Sequence, residues 1–290
     1  MTTFEIIDQA PRITARHPGF LTQVERVLPV AASMAEKYAE MRLPERVTVR
    51  LLTPEGVVAA MRRHADLVSR GIAASYEGQH RAAARRTVLD AYEGLVRLQR
   101  ENWFIVKGRM LQDEDTGPYL AFVPAVHTAL RSSDRLLTQI AGHELVHIMQ
   151  QRLPDLEQLF FTHLTEQRLG LRAPQDIIPL PLIVEGHALW VHRQIVTALG
   201  GEGDDTFPGD PLPVPWMRRR LRAVRPQQER MRQQLYHRGL PFMNTLAATG
   251  GPQLIASIFD HVDRLPGVAE LGDPQLWLQR HPHPAAATLA

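Results

Sequence analysis

The chain contains no cysteine among its 290 residues. That absence excludes disulfides, thiolate nucleophiles, iron–sulfur clusters and cysteine-ligated zinc, so any metal must rest on His, Asp or Glu. Lysine is almost missing as well. It occurs only at positions 37 and 107, which makes 31 of the 33 basic residues arginine. The formal net charge is only +2, so the chain lacks the strong positive field of a nucleic-acid binder. No apolar run approaches the roughly 20 residues that a membrane span needs. Met1 to Phe20 contains no apolar stretch of signal-peptide type, and the expectation is a cytoplasmic protein. P-loop, GxGxxG and GxSxG patterns are absent, as is any internal repeat, so nucleotide-dependent and serine-hydrolase chemistries have no support.

What remains reads mostly as helix. Apolar residues recur at helical spacing over 20–41, 54–70 and 82–103. Tyr119 to Pro124 is a short β-prone run ended by proline. Ser132-Ser133-Asp134 then looks like a helix start, with the helix running to about Gln151. Further helices are expected over 156–169, 182–199 and 216–238, with short ones around 241–248, 251–262 and 273–280. Residues 200–215, rich in Gly, Asp and Pro, form the clearest loop: a mobile lid, a hinge or a plain surface connection. The expected fold is mostly α, of α+β type, with a small sheet and a helical bundle flanking the helix from Asp134. The expected organisation is a helical portion over 1–104, a catalytic portion over 105–282 continuous with it, and a tail over 283–290.

That helix carries His143-Glu144-Leu145-Val146-His147. Residues four apart share one helical face, so both imidazoles can bind one ion. Glu144 is turned about 100° from His143, poorly placed as a ligand and well placed to take a proton from a water on the metal. With 13 His and 17 Glu in 290 residues, chance would produce roughly 0.03 such matches. Ile140, Ala141, Leu145, Val146, Ile148 and Met149 make this helix apolar nearly all round, and buried His and Glu side chains require partners.

Catalytic zinc takes three protein ligands and keeps one open position. Gln150 and Leu153 stand where a metzincin would have Gly and His, which excludes that class. Glu185 is the leading third ligand, a carboxylate in the apolar run Leu182 to Val191, with Gly186 and Ala188 small enough to let its helix approach the first. His163 and His187 are the alternatives. His192, seven residues beyond Glu185, could line the cleft.

His143 to His147 followed by Glu185-Gly186-His187-Ala188 resembles the gluzincins, zinc peptidases whose second active-site helix supplies a Glu in an EGxA-type motif. Gln234 to Phe242, Gly250-Gly251, Leu265-Pro266 and Asp273 to Arg280 resemble a zincin-like family of GC-rich bacteria often labelled as associated with deazaflavin-cofactor biosynthesis. The resemblance spans roughly residues 105 to 282. It implies a zincin fold, Zn2+ held by His143, His147 and Glu185, and Glu144 as general base. It departs from the thermolysin-like pattern at Leu189, where an Asp would orient a ligand. Tyr236 and His237 are candidate oxyanion donors, the role Tyr or His plays in gluzincins. The Arg-rich stretch from Arg218 to Arg232 is either a solvated face or a grip for a carboxylate or phosphate. The function expected is a zinc-dependent hydrolase of a peptide or small-molecule amide. The rivals are a zincin-fold enzyme tailoring a small metabolite and a non-catalytic scaffold.

Overall fold

The computed structural model describes residues 2–17, 19–101, 103–104, 107–153, 156–173, 178–202 and 207–282, apart from the side chains of 227–232 and 234–237. In chain order the elements are β1 (Thr3–Asp8), α1 (Pro11–Thr14), α2 (Phe20–Ala39), β2 (Arg46–Leu51), α3 (Pro54–Ala74), α4 (Gly78–Glu101), β3 (Gly108–Asp113) and β4 (Gly117–Phe122). They continue with α5 (Pro124–Leu130), α6 (Asp134–Gln150), α7 (Leu156–Arg168), α8 (Leu180–Ala198), α9 (Pro215–Ala256), α10 (Val268–Gly272) and α11 (Pro274–Arg280). The fold is α+β, mostly helical around one small sheet.

The sheet has the order β1-β2-β4-β3. Strands β1, β2 and β4 run parallel, and β3 pairs antiparallel with β4 along the edge. Two strands therefore come from residues 1–104 and two from 105–282. Strand β2 (Arg-Val-Thr-Val-Arg-Leu) explains how the sheet sits between layers, because successive side chains point to opposite faces. Val47, Val49 and Leu51 join a core built with α2, α6 and α8. On the other face, Leu111, Tyr119 and Ala121 pack with Val57 and Met61 of α3. A third cluster, including Val68, Tyr92 and Phe161, binds α3, α4 and α7 together.

Local chemistry sets the helix starts. Ser133 caps α6 by accepting the Leu136 N–H at 3.1 Å, and Thr53 caps α3 through the Gly56 N–H at 2.8 Å. Proline opens α3 and α5 at positions where its missing N–H costs nothing. The expected break before Pro241 does not occur. Helix α9 continues to a kink at Gly250 and Gly251, where Gly251 takes φ +71°. A proline inside a helix costs about 3 kcal/mol, but Leu240, Phe242, Met243 and Leu246 are all buried there, and their packing outweighs that cost.

A second correction concerns Gly186. It does not serve the approach of α8 to α6; it faces α9. A Cβ at Gly186 would lie 2.8 Å from the Gly239 carbonyl carbon, so α8 and α9 meet backbone to backbone. The small residue that admits α8 to α6 is Gly142, which a side chain of Ile195 covers.

His127 of α5 pins the start of β3. Its Nε2 lies 2.6 Å from the Lys107 carbonyl and so donates to it, and its Nδ1 lies 3.1 Å from the Ser132 hydroxyl. The ring stacks on Phe20 at 5.2 Å between centroids. Burial lowers its pKa from 6.5 to about 4, a trend the Lys107 carbonyl opposes. A histidine whose folded pKa is depressed stabilises the fold above the unfolded value, and that contribution drains away as pH falls from about 6.5 towards 4. In chemical denaturation between pH 7 and pH 4.5, His127→Phe should therefore lose less stability than the wild type, by an amount on the order of 2 kcal/mol. Parallel slopes for the two proteins would show that His127 is not the titrating group.

Candidate metal centre

Helices α6 and α8 bring three donors together. His143 Nε2 lies 3.5 Å from one Glu185 oxygen and His147 Nε2 lies 3.7 Å from the other. One ligand atom from each of the three residues lies within 4.8 Å of the others. These separations are long for hydrogen bonds. They match donors around one ion, since tetrahedral arms of about 2.1 Å place ligand atoms roughly 3.4 Å apart. The two imidazoles stand nearly perpendicular, with centroids 5.0 Å apart. Burial by itself would raise the Glu185 carboxyl. His147, His143 and, less strongly, Arg109 overcome this and bring it down to about 2, so it is anionic. Two neutral-capable imidazoles and a carboxylate form a donor set suited to a divalent cation.

Gln150 orients this set, a role the sequence reading did not assign to it. Its Oε1 accepts from His147 Nδ1 at 2.9 Å, which leaves the Nε2 lone pair directed towards Glu185. Its amide nitrogen donates to the Val184 carbonyl of α8 at 2.9 Å and lies 3.2 Å from His187 Nδ1. The side chain is fully buried. One residue thus fixes the tautomer of one ligand and the register of the helix that carries another. The signal was present in the sequence as an amide three residues past His147, following the apolar Ile148 and Met149.

Glu144 sits on the neighbouring face of α6, as its rotation requires. Its Oε2 accepts the Met110 N–H of edge strand β3 at 2.8 Å. Gly108 makes room for this crossing, because a Cβ there would lie 3.1 Å from Glu144 Cγ. The next outward-facing amide of β3, that of Gln112, donates to His64 Nδ1 at 3.2 Å. His64 Nε2 then faces Glu157 at 3.1 Å, and the Tyr92 hydroxyl donates to the same carboxylate. Burial raises the Glu157 carboxyl, but the contacts with His64 and Tyr92 hold it below the ordinary range. This network joins α3, α4 and α7 to the outer edge of the sheet.

The other candidates fall as follows. His187 is buried against Phe259, 5.1 Å between ring centroids, and burial lowers its pKa to about 3. His163 is buried beside the Ile178 amide. Neither belongs to the donor group. His192 lines the cavity, 5.6 Å from the His143 ring. The side chains of Tyr236 and His237 lie outside the described residues. Leu189 forms part of the apolar wall of the cavity.

The donors open onto a cavity of about 1140 Å³. Its walls include Ile140, Val184 and Leu189, the inner end of β3, and residues 210–213 of the proline-rich loop. That loop is tied to the start of α6, where Asp210 accepts from Arg135 at 2.7 Å and from the capping residue Ser133. Arg222 and Arg225 of the Arg-rich stretch also reach the cavity. No described helix is long and apolar enough to cross a membrane.

No family model and no curated protein matches the sequence. Among solved structures, the chain is similar to a Chloroflexus aurantiacus protein whose crystal structure is described as that of a "putative hydrolase with a novel fold". The two share 20% identity with a TM-score of 0.57, over 92% of this chain and 93% of that one. At that identity the likeness establishes the shared fold.

Replacing Gln150 tests the orienting role directly. Gln150→Leu should weaken metal binding by about 10- to 100-fold, as loss of a partner behind a ligand commonly does. Gln150→Glu retains an acceptor for His147 and should recover part of that loss. Competition titration with a chromogenic chelator would read both. Unchanged affinity in Gln150→Leu would rule the role out.

Proposed function

We propose that this protein is a zinc-dependent hydrolase of an amide bond, with His143, His147 and Glu185 as ligands and Glu144 as general base. The convergence of three donor side chains beside a cavity, with a carboxylate on the adjacent helical face, carries this reading. The fold shared with a protein described as a "putative hydrolase" supports it.

Zinc at these residues would supply a Lewis acid that polarises a carbonyl and acidifies a water. The chain does the remaining work. Gln150 holds the His147 ring so that Nε2 faces the ion. Glu144, anchored at 2.8 Å on Met110 N–H, takes the proton of the attacking water as the new C–O bond forms. It then delivers that proton to the departing nitrogen as the C–N bond breaks. The hydrogen bond from Met110 keeps the carboxylate on one rotamer, with its second oxygen available for the proton. Ile140, Val184 and Leu189 present apolar surface around the reacting atoms, which strengthens the electrostatic interactions at the site. His143, His147 and Glu185 would hold the ion with three protein donors, the number a catalytic zinc site takes.

The purified protein should hold about one zinc per chain. His143→Ala and His147→Ala should each abolish binding, Glu185→Ala should weaken it strongly, and His163→Ala should change it little. Glu144→Gln should retain zinc while hydrolysis of the protein's amide substrate falls by about 10²- to 10⁴-fold, the usual contribution of a general base. Elemental analysis after reconstitution decides the first set. Loss of zinc in Glu144→Gln would make Glu144 a ligand and overturn its assignment as base.

A further inference from the structure

The charged side chains on the cavity beside the metal centre are unevenly partnered. Four carboxylates reach its wall, those of Glu144, Glu157, Glu185 and Asp210, and each is engaged by the partners described above. Four arginines reach the same wall: Arg109, Arg131, Arg222 and Arg225. No ion pair joins any of the four to a described carboxylate. Arg131, Arg222 and Arg225 are exposed and can be satisfied by water. Arg109 differs from them. It is half-buried, and its Nε is shut off from solvent without a hydrogen-bond partner. That nitrogen lacks an acceptor, while the guanidinium as a whole lies within the electrostatic reach of Glu185. A carboxylate entering the cavity supplies an arginine with paired, charge-assisted hydrogen bonds.

The position of Arg109 adds to this. It directly precedes Met110, whose amide anchors Glu144, so it stands one strand residue from the point where β3 touches the proposed base. The same strand offers little to a polypeptide. Binding by strand addition needs the outward N–H groups of an edge. On β3 the amides of Met110 and Gln112 are already taken by Glu144 and His64. His64 is in turn held by Glu157, so these two amides of the edge are taken by a built network and not by chance contact. Recognition must then fall to side chains.

We infer that the site takes a compact amide carrying a carboxylate, which pairs with the Arg109 guanidinium, and not an extended polypeptide laid along β3. This rests on the zinc-hydrolase reading above, and the experiment separates the two. Three hydroxamate probes are titrated calorimetrically against the zinc-reconstituted full chain. One is a dipeptide with a free carboxylate, one the same dipeptide ending in a carboxamide, and one an octapeptide. The free-carboxylate dipeptide should bind wild type about ten-fold or more tighter than its carboxamide. In Arg109→Ala that ratio should fall to near one, and in Arg109→Lys it should be intermediate; each variant's carboxamide affinity serves as its own folding control. Equal affinities on wild type would overturn the inference and leave the metal reading intact. So would an octapeptide that binds about ten-fold tighter than the dipeptide, since extended pairing would then contribute. If neither dipeptide binds, the metal reading fails and the inference falls with it.

Discussion

The site depends on α6 and α8 lying in one fixed register. Gly142 admits Ile195 at one end of the contact, and Gln150 grips the Val184 carbonyl at the other. Between these two points His143 and His147 face Glu185. A slip of one residue would turn Glu185 by about 100° and dissolve the donor group. The polar network is also self-consistent electrostatically. Desolvation works against an ionised Glu185, but His147 and His143 in their protonated forms and, less strongly, Arg109 keep the carboxyl at about 2. A cation between the three side chains would replace those weaker partners with a full charge, which is the state the geometry suits.

Edge strand β3 couples this centre to the rest of the molecule. His127 fixes its beginning, Glu144 its middle and His64 the next outward amide. The strand is therefore held by three helices besides its pairing with β4. An exposed sheet edge invites pairing with other chains, and covering it with side chains removes that hazard. The same covering gives the cavity a rigid wall next to the proposed base. Rigidity matters there, because a displaced carboxylate transfers protons poorly and misplacement of about 1 Å can cost 10²-fold in rate.

The apolar character of the walls and the half-buried Arg109 act together. Ile140, Val184 and Leu189 lower the local dielectric, which strengthens both the attraction of the ligands for a cation and that of Arg109 for an anion. The proline-rich loop, tied to α6 through Asp210, closes one side of this space. The capping residue of α6, the helix with both candidate His ligands, thus also anchors the loop that borders its cavity.

Much of the candidate site was legible in the sequence because helical periodicity is local. The spacing of His143 and His147, the rotation of Glu144, the cap at Ser133 and the proline ends of neighbouring elements all follow from short-range geometry and steric rules. The alternation in Arg46 to Leu51 was an equally local signal of β2 that the helical reading passed over. What lies between elements was not legible. Gly186 reads as a small residue in the ligand-bearing helix, but which helix it admits depends on where α9 runs. Pro241 reads as a helix end, and only the burial of Phe242 and Met243 overrides it. The Gln150 link to α8, the anchoring of Glu144 on Met110 and the unpaired Arg109 join residues 34 or more positions apart, or depend on what surrounds them after folding. The sequence by itself determined the helix that carries two candidate ligands and the proposed base. It also singled out Glu185 as the leading third donor, and the structure brings that residue to the two histidines. Tertiary structure alone decided what orients the donors and what covers the strand beside them, because those outcomes are set by packing between elements, and no period within a single element encodes it.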